Sequence, residues 1–313
     1  MTRIHKSSEA VQNKPFFHIP FWQAPAADVF ARRAERLREL AAQEPSEWKS
    51  YLALLAQVCD AQQSLLAECP AVPSANSDPN HFRLPETISA DFWQSIESLF
   101  TLLHTRVAAD LPPAAENAWQ RLLAMNSNER LALALRVLRQ KTAETDDDVG
   151  LWVHAVLQVV WTHSAMRLAE NELPENAVLP REERSVCPCC GNDAVGSVII
   201  SGGEWDNLRY LHCALCNSRW NALRAKCTFC GNTKDMSLQS IEDAQNGTAL
   251  SAAYGECCES CHGYRKGYRL GKQTNADPIA DDLASLILDM LLVENGYLRG
   301  GGNPFLLTGT AGK

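Results

Sequence analysis

Four Cys-x-x-Cys pairs lie between Cys187 and Cys261, and they are the residues of this chain whose type and spacing point most clearly to chemistry. A Cys-x-x-Cys turn presents two sulfurs to one point. Two such turns form a tetrahedral S4 cage, which suits zinc or a single rubredoxin-type iron. Four turns therefore predict two cages. The eight candidate metal ligands are Cys187, Cys190, Cys213, Cys216, Cys227, Cys230, Cys258 and Cys261.

The four pairs can be combined in two ways. Sequential pairing places the first two pairs in one cage and the last two in the other, with the loops 191–212 and 231–257 between the turns. A cross-braced arrangement, as in RING-type domains, would join the first pair to the third. We favour sequential pairing because each intervening loop then contains its own hairpin. Gly191 and Gly231 follow two of the pairs directly, at a position where the turn needs a left-handed backbone.

Two further cysteines and two histidines lie next to these pairs. Cys189 and Cys257 are each adjacent to a candidate ligand, either as bystanders or as accessible thiolates whose pKa is lowered beside a metal cage. His212 and His262 could replace a sulfur ligand, although eight cysteines already suffice for two cages. The role of the two spare cysteines is left open.

The sequence contains no recognisable catalytic constellation. A Gly-rich phosphate loop and a Gly-x-Ser-x-Gly motif are both missing from it. A cage with four protein sulfurs is closed and leaves no position for an activated water. Asp146-Asp147-Asp148 is interpreted as a solvated helix start. We therefore expect a protein that is not an enzyme.

Composition and charge restrict the class of protein further. Closely paired cysteines in a chain of 313 residues indicate metal binding and not a secreted disulfide framework. No signal peptide and no membrane-spanning apolar run is recognised, so a soluble, cytoplasmic protein is expected. The net charge is −8, and residues 181–275 carry 11 Lys and Arg against 10 Asp and Glu. Because two cages with divalent metal bring that segment to about −3, a nucleic-acid partner is not expected.

The region 1–180 shows helical periodicity. Apolar residues recur at helical spacing from Pro25 to about Pro45 and again after Ser46, where Ser46 would cap the second helix. The same pattern predicts helices at about 92–107, 114–125 and 129–140. A further helix at 149–170 is apolar around most of its circumference and should be central to the bundle. His154 and His163 on this helix are interpreted as structural.

Beyond a proline- and glutamate-containing linker at 171–184, the period changes towards that of strands. Strands are predicted at 195–200, 208–212 and 219–224, and Trp205 and Trp220 are interpreted as core residues of the resulting hairpins. A C-terminal helix should begin at Asp277-Pro278 and end at Asn295-Gly296. Its predicted apolar face consists of Ile279, Leu283, Leu286, Ile287, Met290 and Leu291.

These elements predict an α+β protein. An N-terminal helical domain at 1–180 is followed by two tandem modules of rubredoxin or zinc-ribbon type, at 181–225 and 226–275, and by a C-terminal helix and tail at 276–313. Neither module can bury enough apolar area to fold alone, so the metal is expected to supply the missing stability.

Several segments of the chain closely resemble the FdhE family of formate dehydrogenase accessory proteins. They are Arg32–Leu40 (RRAERLREL), Leu208–Cys216 (LRYLHCALC), Ala280–Leu286 (ADDLASL) and the late Asn303-Pro304-Phe305, together with the two successive four-Cys units. The resemblance spans nearly the full length. Cys189 and Cys257 are not part of the family pattern.

The resemblance implies a cytoplasmic accessory protein needed for the formation of active respiratory formate dehydrogenase. Such proteins bind the catalytic subunit of that molybdenum–selenocysteine enzyme before or around its export. The resemblance also implies rubredoxin-type iron at both sites, held by the eight paired cysteines, with zinc as the alternative metal. It implies neither nucleic-acid binding nor membrane insertion, and the oligomeric state stays open.

Two other classes of protein are compatible with the cysteine pattern alone. One is a tandem zinc-ribbon protein that binds nucleic acid, which the charge disfavours. The other is a rubredoxin-like carrier of electrons, or a thiol-redox protein that uses the spare cysteines.

Overall fold

Six helices occupy the N-terminal part of the chain that the structure describes. The structure is a computed structural model that describes residues 19–43, 47–70, 84, 87–142, 146–170, 185–202, 206–242 and 252–306. The helices are α1 (Val29–Gln43), α2 (Glu47–Leu65), α3 (Ala90–Val107), α4 (Pro113–Ala124), α5 (Ser127–Leu138) and α6 (Asp147–Glu170). They confirm the predicted helical region. Ser46, the predicted cap of the second helix, and the linker at 171–184 lie outside the described residues.

Local sequence explains where several of these helices begin. Ser89 caps α3 by accepting a hydrogen bond from the Phe92 N–H. Asn126 and Glu129 form a reciprocal capping box at the start of α5. Helix α6 is buried on nearly every side between Val149 and Ala165, which confirms its predicted central position.

Within the described residues, eight strands form a single mixed sheet; the first strand precedes the helices and the other seven follow α6. The strands are β1 (Trp22–Gln23), β2 (Ala194–Ile199), β3 (Arg209–Cys213), β4 (Arg219–Asn221), β5 (Met236–Gln239), β6 (Ala253–Cys258), β7 (Gly263–Arg269) and β8 (Leu298–Arg299). Their order is β1-β4-β3-β2-β7-β6-β5, and β8 pairs with β7. The predicted α+β class is therefore correct.

The sheet is continuous because β2 and β7 pair in parallel. Ser197, Val198 and Ile199 on β2 lie opposite Gly267, Tyr268 and Arg269 on β7. The first Cys-x-x-Cys turns thus belong to the β4-β3-β2 half of the sheet, and the later turns belong to the β7-β6-β5 half. At the seam, Arg209 of β3 forms a buried ion pair with Glu256 of β6. The two modules predicted in tandem are joined side by side.

The C-terminal helix is two helices, which corrects the predicted single one. Asp277 caps α7 (Pro278–Leu283) as predicted, since its carboxylate accepts from the main chain N–H groups of the first turn. The helix is then interrupted, and α8 (Leu286–Glu294) follows. At the break, buried Lys266 donates from Nζ to the Asp282 carbonyl at 2.8 Å and to the Ser285 hydroxyl at 3.1 Å. A buried ammonium needs acceptors, and the broken helix supplies them.

The break changes the helical phase, so part of the predicted apolar face is wrong. Ile287, Met290 and Leu291 are exposed, whereas Leu288 and Leu292 are buried against the sheet. The predicted buried positions Ile279 and Leu283 in α7 are correct.

Charged residues of α1 join the N-terminal helices to α7. Arg33 lies against Asp277, and Arg36 lies against Asp281 at 2.6 Å. Among the described residues, no helix has the length and apolar character needed to cross a bilayer.

Candidate metal centres

Each Cys-x-x-Cys pair occupies a tight turn, and two of the pairs begin where a strand ends, at Cys213 of β3 and Cys258 of β6. In the first turn, the Gly191 N–H donates to the Cys187 carbonyl at 2.8 Å, and the Cys187 N–H donates to the Asn192 carbonyl at 2.8 Å. The third turn repeats the pattern, with the Gly231 N–H donating to the Cys227 carbonyl at 3.1 Å. These bonds close each turn and hold its two thiols on the same side.

The residue after each pair has a left-handed backbone. Gly191 has φ 75° and Gly231 has φ 77°, as predicted from their identity. Asn217 with φ 57° and His262 with φ 54° fill the same position in the other two turns. Asparagine and histidine tolerate this region better than most side chains do. That tolerance is a sequence signal for the turn that the glycine-based prediction missed.

The eight sulfurs form two groups, and within each group the ligand atoms all lie within 4.8 Å of one another. The grouping is the sequential one. We call Cys187, Cys190, Cys213 and Cys216 the buried cage, and Cys227, Cys230, Cys258 and Cys261 the surface cage. The Sγ–Sγ distances are 3.6 Å for Cys187–Cys216, 3.4 Å for Cys190–Cys213, 3.7 Å for Cys227–Cys261 and 3.7 Å for Cys230–Cys258.

Both cages fit a tetrahedral metal ion. Metal–sulfur bonds of about 2.3 Å give a tetrahedron with sulfur–sulfur edges of about 3.8 Å. The observed separations are close to that edge length, so a zinc or iron ion can be accommodated with little movement of the turns. The geometry does not distinguish the two metals, because both accept four thiolates.

The buried cage is embedded in the helical core. Its four cysteines belong to the same hydrophobic cluster as the residues of α1–α6. Helix α6 contacts the turn between Cys213 and Cys216, since Gln158 Nε2 donates to the Ala214 carbonyl at 2.7 Å. Asn217 Nδ2 donates to the Thr162 hydroxyl at 2.9 Å. The turn that carries Cys213 and Cys216 is thus fixed by side chains of the central helix.

Hydrogen-bond donors surround the sulfurs of the buried cage. The Ser218 hydroxyl lies 2.9 Å from Cys216 Sγ and 3.4 Å from Cys187 Sγ. The N–H groups of Leu215 and Cys216 point at Cys213 Sγ, at 3.3 and 3.4 Å. Donors of this kind favour the thiolate form and orient it towards a metal.

The surface cage lies at the edge of the sheet. Cys227 and Cys258 are buried, Cys261 is half-buried and Cys230 is exposed. A hydrogen bond from the backbone of Asn232 lowers the pKa of Cys230 to about 7. The neighbouring Phe229 ring lies under the Arg265 guanidinium, whose Cζ is 4.8 Å from the ring centroid.

The spare cysteines are not accessible thiolates. Cys189 and Cys257 are both fully buried. Burial raises the pKa of the Cys257 thiol to about 12. Burial, with a hydrogen bond to Cys216, also raises the pKa of Cys189. The hypothesis of reactive, exposed thiols beside the cages is therefore wrong for both residues.

The histidines next to the cages have other partners. His212 is buried, and its Nε2 lies 3.3 Å from the Asn217 side-chain oxygen while the Arg219 Nε donates to its Nδ1 at 3.3 Å. Exposed His262 lies beside the Tyr297 ring. Trp220 is fully buried, as predicted. Trp205 lies outside the described residues.

The fold and the two sulfur groups define a metal-ribbon protein of rubredoxin or zinc-ribbon type, built onto a helical N-terminal region. Three family models match the chain: "FdhE, N-terminal" at residues 19–177, "FdhE, central domain" at 186–224 and "FdhE, C-terminal domain" at 225–306. The chain belongs to the FdhE family.

Relatives with the same name cover almost the whole chain. A "Protein FdhE homolog" from Pseudomonas aeruginosa is 35% identical over 315 residues, which is 96% of each chain. Another from Edwardsiella ictaluri is 33% identical and covers 90% of this chain and 89% of its own. The crystal structure of the FdhE protein from Pseudomonas aeruginosa has a TM-score of 0.77 and 32% identity, and covers 93% of this chain and all of that one.

Proposed function

We propose that this protein is a non-catalytic accessory protein for respiratory formate dehydrogenase, and that it acts in the cytoplasm. The observation that carries the proposal is membership of the FdhE family along almost the whole chain, combined with two S4 groups at metal-binding distance. The eight paired cysteines hold one metal ion in each cage. We take iron as the resident metal, by analogy with rubredoxin, and zinc as the alternative.

The proposed partner is the catalytic subunit of formate dehydrogenase. The embedding of the buried cage supports a structural contribution to docking, because loss of its metal would loosen α6 and the turn at Cys213–Cys216 together. A closed S4 cage leaves no coordination site for a substrate. The metal therefore supplies rigidity and a defined surface, and no bond of a substrate needs to be broken at either cage.

Anaerobic affinity capture from formate-respiring cells tests this function. The tagged protein should recover the formate dehydrogenase catalytic subunit, identified by mass spectrometry. The Cys213→Ser/Cys216→Ser variant should lose it, while Cys189→Ala, next to the same cage, should retain it. Circular dichroism of each purified variant distinguishes a lost interaction from an unfolded protein.

Other outcomes would contradict the proposal. If no formate dehydrogenase subunit is recovered and a strain lacking the protein retains normal formate dehydrogenase activity, the accessory function is wrong. Recovery of ribosomes or RNA polymerase would favour the nucleic-acid-binding alternative instead.

A further inference from the structure

The two cages differ sharply in their access to solvent. Every ligand of the buried cage is at most 2% exposed. In the surface cage, one ligand is exposed and one is half-buried, namely Cys230 and Cys261. The same S4 chemistry is therefore held in two environments, within a single sheet.

The surroundings of the buried cage prevent direct attack on its metal. The Ser218 hydroxyl, itself fully buried, covers the Cys187–Cys216 side. The Cys213–Cys216 turn is covered by α6 through Gln158 and Thr162. A competing ligand can reach this metal only after the helical core opens, which requires cooperative local unfolding.

The surface cage presents one edge to solvent. Cys230 belongs to one turn of this cage and Cys261 to the other, so an approaching ligand meets one sulfur from each turn. The side chains next to these cysteines, Phe229 and Ser260, are exposed as well and cover no part of the helical core. Attack here needs movement of a single turn.

We propose that the surface cage is a metal-exchange site, which gains and loses its ion through the Cys230–Cys261 edge, whereas the buried cage retains its ion for as long as the chain is folded. This inference rests on the proposed function in so far as both cages hold a metal. The exchanging species are soft divalent cations and competing thiolate or nitrogen chelators. In each step one bond forms between the metal and an incoming donor and one metal–sulfur bond breaks, the bond to Cys230 first, and no electron is transferred.

Chelator competition on the full-length protein tests the inference. The protein is produced in cells grown with zinc, so that both cages take up zinc during folding, and is then mixed anaerobically with excess pyridylazoresorcinol, whose absorbance reports released zinc. One equivalent should leave rapidly and the other at least about 100-fold more slowly, as expected for release that requires opening of the core. Equal rates for both equivalents would overturn the inference.

Cysteine alkylation during the release identifies the cage that opens. N-ethylmaleimide added during the fast phase should label the four cysteines of the surface cage, and mass spectrometry should find the buried cage unlabelled. Labelling of Cys187 or Cys213 in the fast phase would overturn the assignment. A Cys230→His variant, which keeps four ligands, should change only the fast rate; a changed slow rate would contradict independent cages.

The metal content before mixing separates this inference from the proposed function. Fewer than two zinc ions per folded chain would contradict the two metal sites themselves, and the exchange site with them. Two ions that leave together would contradict only the exchange site.

Discussion

The Arg33 guanidinium of α1 lies 2.9 Å from the carboxylate of Asp277, the residue that caps α7. The two residues are 244 positions apart in the chain. The same guanidinium donates to the Asn217 side-chain oxygen at 2.7 Å. One buried cation thus joins the first helix, the turn after Cys216 and the start of the C-terminal helices. Two of the segments that resemble the family, Arg32–Leu40 and Ala280–Leu286, lie in or next to this contact.

Breaking this ion pair should strongly destabilise the protein. Burial opposes ionisation of Asp277, but the Arg33 charge outweighs it and holds the pKa of Asp277 at about 2. Removing one member of a buried pair leaves the other charge uncompensated, which costs about 3–5 kcal/mol. Arg33→Met and Asp277→Asn should each lower the free energy of unfolding by that order, measured by urea denaturation.

The neighbouring Arg32 is the matched control for this prediction. Arg32 pairs with Asp28 on the exposed side of α1. Arg32→Met should change the free energy of unfolding by less than about 1 kcal/mol. Similar effects at positions 32 and 33 would show that the buried pair is not an important contact.

Stability should fall in mildly acidic solution, partly because of His154. Burial lowers the pKa of His154 to about 3, whereas an unfolded histidine has a pKa of about 6.5. As the pH falls below 6.5, the unfolded chain binds a proton that the folded chain excludes, so folding is progressively disfavoured down to the folded pKa.

The variant His154→Gln should show a weaker acid dependence. Between pH 7 and pH 5 it should lose about 1–2 kcal/mol less stability than the wild type. Urea denaturation at both pH values measures the difference, and metal analysis of each sample excludes loss of metal as its cause. Parallel pH profiles for the two proteins would contradict the prediction.

Neighbouring cysteines should respond differently to substitution. Cys190→Ala and Cys258→Ala should each reduce the metal content from two ions to one, because each removes a sulfur from a cage. Cys189→Ala and Cys257→Ala should leave it at two. Plasma mass spectrometry of the purified variants measures the content. Loss of metal from Cys189→Ala would make that residue a ligand and require a different set.

Because the backbone at His262 is left-handed, glycine should be less destabilising than valine at this position, whereas in a helix glycine is the more destabilising of the two. His262→Val should destabilise the protein by about 1–2 kcal/mol, since a β-branched residue is strained at positive φ, and His262→Gly should be neutral or stabilising. At exposed Ala132 in the interior of α5, Ala132→Gly should destabilise the protein more than Ala132→Val does. Thermal denaturation of the metal-loaded variants gives both orders, and the same order at both sites would refute the backbone argument.

Local patterns were enough to predict much of this fold. The periodicity of α1–α6, the Asp277-Pro278 start and the strand at 195–200 depend on residues close in sequence, and the structure has them near the predicted positions. The sequential grouping of the eight sulfurs was favoured because each intervening loop would contain its own hairpin, and the structure has that grouping. The domain boundaries at 180, 225 and 275 remain predictions.

What was missed depends on residues far apart in the chain. At the break between α7 and α8, Lys266 of β7 donates to the Asp282 carbonyl, a contact that has no signature within the helix itself. The parallel pairing of β2 with β7 joins segments that are distant in sequence, with Ser197 opposite Gly267. Likewise, nothing in the sequence indicates that one cage is buried against α6, because Gln158 is an ordinary polar residue until its contact with Ala214 is known.

The position of the buried cage also sets an order for biogenesis. During synthesis α1–α6 emerge first, yet their core includes four cysteines that lie beyond the end of α6, from Cys187 onward. The ion pair of Arg33 cannot form until Asp277 has been synthesised. The helical region therefore cannot finish folding while the ribosome is still making the ribbons. A metal ion bound in the buried cage would have to reach a nascent or freshly released chain, before the core closes over Cys187 and Cys213.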